Sequence, residues 1–147
     1  MALRATSFRR ALSLGDEPFD VVVLDADQRH IRRKRITLAN GEDILVDFEK
    51  PVHLEQGDRL VLEDGRMAEV VAAPEILMEV VARDAGHLVE LAWHIGNRHL
   101  AAQIAAERIL LRRDRIIRAM LEQLGATVRD VTEPFSPEHG AYHAHDH

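Results

Sequence analysis

The sequence predicts an α+β protein in three parts: an all-β domain over residues 1–73, a mixed domain over 74–132 and a mobile histidine-rich tail over 133–147. Three observations carry this expectation. In the first half, β-rich runs are broken by Asn40-Gly41 and Asp64-Gly65, and such dipeptides supply the positive φ of tight hairpin turns. Past Pro74, apolar residues begin to recur with a helical period, as Leu88, Leu91, Ala92 and Ile95 do at i, i+3, i+4 and i+7. Finally, His139, His143, His145 and His147 crowd the last nine positions.

Taken in order, the opening MALRATSFRRALSLG carries three arginines and no acid, and is read as a basic first strand and loop. A secretory signal would need an apolar block that is missing there, so a cytoplasmic location is expected. The runs DVVVLDAD, RRKRITLANGEDILVDF and DRLVLEDGRMAEVVAA supply further strands, two pairs of which close as hairpins. Alternation of Ile44, Val46 and Phe48 with Leu45 and Asp47 gives these strands one buried face, as in a small barrel or sandwich. EILMEVVA then reads as a strand, followed by a helix from near Asp84 to near Gly96. LAAQIAA and RILLRR are short strands, and the second helix buries Ile116, Ile117, Met120, Leu121 and Leu124 before Gly125 ends it. ATVRDVT closes the set, and the order β-α-β-β-α-β is that of a ferredoxin-like domain. Beyond Glu133, the residues Pro134, Ser136, Pro137 and Gly140 show no core-forming pattern, hence the expected mobile tail.

Composition narrows the function. Hydrophobic residues make up 46% and charged residues 30% of the 147, an ordinary balance for a soluble protein. No apolar run approaches the roughly 18 residues of a membrane span, so no membrane partner is expected. A formal net charge of -6 opposes association with a phosphate backbone, which argues against nucleic acid. Without cysteine there is no disulfide, no thiolate nucleophile and no sulfur ligand, so any metal is held by histidine nitrogen and by oxygen.

Two motifs offer such ligands. In HIGNRH, His94 and His99 are five residues apart, which in a helix leaves them about 140° out of line, so they are not a helical chelate. Gly96 suits the left-handed residue that ends a helix and Asn97 tolerates that conformation, placing His99 beyond the helix end and open to a partner. His94 falls inside the helix on the same face as Leu91 and His87, where partial packing or a hydrogen bond that supports a ligand is the expected role. In HAHDH, His143, His145 and His147 alternate with Ala144 and Asp146, so an extended chain puts three imidazoles on one side, which is a chelator. Imidazole ligands suit zinc, copper, nickel and iron, while the absence of sulfur disfavours Cu(I).

The stretch HIGNRHLAAQI resembles the glycine-asparagine-arginine-histidine signature of the UreE family of urease accessory proteins. EQLGATVRDVTEPFSPEHGAYH resembles that family's final helix, strand and Pro-Phe-x-Pro-Glu-x-Gly-Ala-Tyr segment running into a histidine-rich end. The resemblance implies a non-enzymatic nickel metallochaperone that carries Ni(II) as cargo to apo-urease, with Zn(II) or Cu(II) as substitutes. It also implies a homodimer in which His99 of both protomers lies near the two-fold axis and binds nickel with His143, His145 and His147 of the tail. The first domain is then a peptide-binding-like β unit that docks on the urease apoprotein and other urease accessory proteins.

Some members of the family carry histidines beside the aspartate matching Asp114, whereas here the neighbours are Arg113 and Arg115, so no metal is expected there. The short tail suits delivery better than storage. Two other readings remain: a general zinc, copper or nickel buffer using the same ligands, and a metallohydrolase using His94, His99 and Asp114 or Glu107.

Overall fold

The structure, a computed structural model, describes residues 3–11 and 17–139. The chain divides into two compact units, Met1–Ala73 and Pro74–His147.

Unit 1 contains β1 (Leu3–Arg9), β2 (Asp20–Leu24), α1 (Ala26–Arg29), β3 (His30–Thr37), β4 (Asp43–His53), β5 (Arg59–Leu62) and β6 (Met67–Ala72). The six strands form one mixed sheet in the order β2-β6-β5-β1-β4-β3. Both expected hairpins are present, β3 with β4 and β5 with β6, and the turn glycines Gly41 and Gly65 have φ of 92° and 91°. The parallel pairs β1 with β4 and β2 with β6 join the hairpins into one sheet. Alternate residues of β4, namely Ile44, Val46 and Phe48, are buried with Leu60, Leu62, Val70 and Leu24 in one apolar core.

The half is not purely β, because α1 forms one helical turn. Its cause is local: the Asp25 carboxylate accepts from the Gln28 N–H at 2.8 Å while Gln28 Oε1 accepts from the Asp25 N–H at 2.9 Å, a reciprocal capping box. Arg29 then turns fully inward and donates to the carbonyls of Leu24 and Leu54 at 3.1 and 3.2 Å. A buried guanidinium needs such acceptors, and here they fix α1 against the end of β4.

Unit 2 contains β7 (Pro74–Val81), α2 (Ala85–Asn97), β8 (Ala102–Ile104), β9 (Arg108–Arg112), α3 (Arg115–Gln123) and β10 (Thr127–Pro134). Its sheet is antiparallel throughout, in the order β10-β7-β9-β8. One face supplies Met78, Val80, Ile109, Leu111 and Val128, which share a core with Leu91 and Ile95 of α2 and Leu121 of α3. Each such buried aliphatic side chain stabilises by about 1.5–3 kcal/mol, which is what holds both helices to the sheet. Ile116, expected on the inward stripe of α3, is 78% exposed instead. At the first turn of that helix, Asp114 and not an apolar contact sets the register.

The opposite face carries Leu77, Leu110 and the nearly buried Glu79. Arg108 and Arg129 donate to Glu79 at 2.7 and 2.6 Å, and Arg108 reaches Glu133 at 2.7 Å. Arg108 first, then Arg129, holds the Glu79 carboxyl below the usual carboxylate range, and the two glutamates raise Arg108 in turn. Phe135 lies fully buried just beyond β10, so ordered packing continues past Glu133, where the sequence pattern suggested a mobile tail. Among the described residues, no helix is long and apolar enough to cross a membrane.

Candidate metal centre

The end of α2 positions His99. The helix begins at Asp84, whose Oδ1 accepts from the His87 N–H at 2.8 Å, and the buried stripe Leu91 and Ile95 fixes which side faces the sheet. His87 is part of that scaffold. Its Nδ1 accepts from the Arg83 N–H at 3.0 Å, so Nε2 carries the proton and donates to the Leu124 carbonyl at 2.8 Å, leaving the ring 4% exposed.

At the other end the helix runs through Gly96 to Asn97, and His99 itself takes the left-handed conformation, with φ 58°. The His99 N–H donates to the Gly96 carbonyl at 3.0 Å and the Leu100 N–H to the Ile95 carbonyl at 3.4 Å, the paired bonds of a Schellman ending. The sequence favoured Gly96 or Asn97 for the left-handed position, and packing explains the difference. With His99 there, Ile95 and Leu100 fill the two apolar positions of the motif, whereas an ending at Gly96 would put Asn97 in one of them. Helix α3 ends by the same two bonds, with Gly125 at φ 92°.

His99 is thus the one non-glycine residue with positive φ among those described, and it is exposed. A left-handed residue with a Cβ costs about 1–2 kcal/mol, so the fold stabilises an unfavourable backbone to present this imidazole. His94, half-buried in the helix, meets the ring of its chain neighbour Trp93 edge-on, with centroids 5.1 Å apart.

The base of the tail returns to the same region. Phe135 is sealed under the Arg112 guanidinium, 5.2 Å above its ring, the Ser136 N–H donates to Gln103 Oε1 at 2.9 Å, and the Glu138 N–H donates to the Ala102 carbonyl at 2.8 Å. That last bond fixes the chain just before the exposed His139 to a point three residues beyond His99. Three residues span at most about 11 Å, which bounds how far Ala102, to which Glu138 is bonded, can lie from His99. Sequence reasoning missed this staple, although a lone Phe135 between Pro134 and Pro137 was a signal for it. The candidate ligands His143, His145 and His147 lie outside the described residues.

Of the carboxylates in the hydrolase reading, Asp114 does other work. Asp114 caps α3, its Oδ1 accepting from the N–H groups of Ile116 and Ile117 at 2.8 and 2.9 Å. Its neighbour Arg113 donates to the Leu77 carbonyl at 3.2 Å through Nη2 and lies 3.2 Å from Asp130. The cavity beside Asp114, lined by Leu100, Leu111 and Ile117 among others, holds only about 180 Å3. Substrate pockets are commonly about 300 Å3 or more. Glu107 is exposed.

Comparison with known proteins accounts for both units. Residues 6–73 match the family described as UreE urease accessory protein, N-terminal domain, and residues 75–147 match UreE urease accessory protein, C-terminal domain. The chain is 59% identical over 143 residues to urease accessory protein UreE of Agrobacterium fabrum, covering 97% of this chain and 89% of that one. It is 56% identical over 142 residues to UreE of Rhizobium rhizogenes, covering 97% and 85%. Against UreE 1 of Brucella suis biovar 1 the identity is 59% over 140 residues, covering 95% and 86%. With both halves matched in order and the signature histidine exposed at the end of α2, the chain belongs to the UreE family, whose members are accessory proteins and not enzymes.

Proposed function

We propose that the protein serves urease maturation as a nickel carrier, binding Ni(II) between His99 and the histidines of its tail and handing it to apo-urease. The observation that carries this reading is the bond from the Glu138 N–H to the Ala102 carbonyl, which starts the tail within three residues of His99. A fixed imidazole and a tethered set of imidazoles then share one neighbourhood, and all of these donors suit nickel, with zinc and copper as competitors. The βαββαβ order and the sheet order β10-β7-β9-β8 support reading unit 2 as ferredoxin-like. The net charge of -6 remains an argument against a nucleic-acid partner, and the cytoplasmic location expected from the sequence accompanies the reading.

The reading includes a homodimer. On α2, Val89 and Trp93 are 70% and 63% exposed and stand four residues apart, an apolar strip on the helix that leads to His99. Isologous pairing that brings the end of α2 close to the symmetry axis would turn one exposed imidazole into two facing ligands. The urease apoprotein and its other accessory proteins are the partners, met through the peptide-binding-like unit 1. Delivery, rather than general metal buffering, is favoured by the family membership.

The test is a nickel titration of the parent, His99→Ala and a chain stopped after Tyr142, with the mass of the metal-free protein measured alongside. His99→Ala should lose the tightest ion and fail to support urease activation, while the shortened chain binds fewer ions but keeps a site. A His99→Ala protein that binds its first nickel as tightly as the parent and activates urease equally well refutes the reading.

A further inference from the structure

We propose that His30, His53 and Glu55 form a second binding site for a borderline divalent cation such as nickel, zinc or copper, built entirely within unit 1. His30 opens β3 and His53 closes β4, and the two are direct cross-strand partners. The neighbouring Leu54 N–H donates to the Arg29 carbonyl at 2.9 Å. A bond in that place makes His30 and His53 a non-hydrogen-bonded pair, the kind in which opposite side chains approach most closely. Their rings lie on one side of the sheet with centroids 5.9 Å apart, tilted by 55°. Two imidazoles bound to one ion through Nε2, each about 2.0–2.1 Å from it, carry ring centroids roughly 4.5–6 Å apart. The observed spacing falls at the wide end of that range, and the exposed His30 side chain is the one that would turn to share a cation with His53.

Glu55 supplies the third donor. Its Oε1 lies 4.0 Å from His53 Nε2, a little wider than the roughly 3.4 Å between two ligands of one tetrahedral ion. Two histidines and a carboxylate are a donor set for borderline divalent metals, and not one for calcium or magnesium.

The scaffold beneath is stiff. Asp58, 1% exposed, accepts from the Glu55 N–H at 2.8 Å, from the Ala11 N–H at 3.0 Å and from Arg10 at 2.6 Å. Arg10 also donates to the His53 carbonyl at 3.1 Å, so the ion pair between the exposed Arg10 and the buried Asp58 holds the backbone of both His53 and Glu55. Nearby cations do not cancel the site: Arg10 is neutralised by Asp58, and Arg29 points into the core toward the carbonyls of Leu24 and Leu54. Because the donors all belong to unit 1, the proposal stands or falls separately from the roles assigned to His99 and the tail.

The experiment uses the full-length chain with His99, His139, His143, His145 and His147 all replaced by Ala, titrated with nickel chloride by calorimetry and equilibrium dialysis. One ion per chain should remain. Adding His30→Ala should weaken that residual binding by about tenfold or more, since loss of even a supporting group commonly costs 10–100-fold in metal affinity. His30 is exposed, so the fold should survive. Should circular dichroism show otherwise, Glu55→Gln gives the same reading through a side chain that is 45% exposed. His94→Ala should change nothing. Absence of any nickel binding at millimolar metal in the five-histidine variant overturns the proposal, as does residual binding indifferent to both His30→Ala and Glu55→Gln.

Discussion

Replacing His99 by glycine should make the metal-free protein more stable and its nickel binding worse. The backbone at His99 sits at φ 58°, in the position that glycine fills at the end of α3. A residue with a Cβ loses about 1–2 kcal/mol in that conformation, and glycine avoids this loss. Against it stands the greater freedom of glycine in the unfolded chain, about 0.5–1 kcal/mol. Exposure of the imidazole means that almost no packing is lost, because the apolar contact of the helix ending belongs to Ile95 and Leu100. The net gain is about 0.5–1 kcal/mol, or roughly 3–6 °C in the melting temperature of a unit of this size. Thermal and urea unfolding in chelator, at one protein concentration, measure the first effect, and a nickel titration measures the second. His99→Ala, which keeps a Cβ, should show the same loss of nickel without the gain in stability. A His99→Gly protein no more stable than the parent would refute the strain argument. Nickel affinity equal to the parent's would refute the reason given for tolerating that strain.

Three further outcomes are expected. Phe135→Ala should destabilise unit 2 by about 3 kcal/mol, since the ring is fully buried, and should also loosen nickel binding by releasing the base of the tail; unchanged unfolding would show that the ring is not an anchor. Asp114→Ala should cost about 1 kcal/mol through loss of the α3 cap while leaving nickel stoichiometry intact, and a lost ion would put a metal ligand there after all. Because Arg108 and Arg129 depress Glu79 from its ordinary value of 4.5, the ion cluster contributes stability that is present above that value and lost as pH falls through the depressed one. Urea midpoints of the parent should therefore drop more steeply below about pH 4.5 than those of Glu79→Gln, and parallel profiles would contradict the assignment.

Much of the fold was legible because its signals are local and periodic. The turn dipeptides Asn40-Gly41 and Asp64-Gly65 fall where the hairpins turn, and Leu91 with Ile95 marks the buried stripe of α2. The parallel pairings of β1 with β4 and β2 with β6 were not legible, since alternation fixes which face a strand buries but not its neighbour. Helix α1 was within reach, because Asp25 and Gln28 have the capping-box spacing, yet four residues give no period to detect. At the site, His99 was found from its motif, but its backbone conformation was not. Gly96 and Asn97 carry the stronger local propensity, and only the contact between the ends of the motif, Ile95 and Leu100, moves the ending along the chain. Phe135 escaped for a related reason: a lone aromatic residue among prolines is a signal of burial, but a single residue has no period to set it against.

The bond that joins Glu138 to Ala102 also sets a concentration. His143, His145 and His147 follow that fixed point by five, seven and nine residues, so their distance from it cannot exceed about 18, 25 and 32 Å. Donors tethered so closely compete for an ion as though present at millimolar concentration, and dilution of the protein leaves that figure unchanged. Under the proposed function, a tail imidazole then remains bound only while its own contact outweighs that threshold. Each can let go singly, and a donor from the acceptor can take its place while His99 still holds the metal. Under that function, transfer by successive exchange, without an intermediate of free nickel, is the route expected of a tail pinned at Glu138.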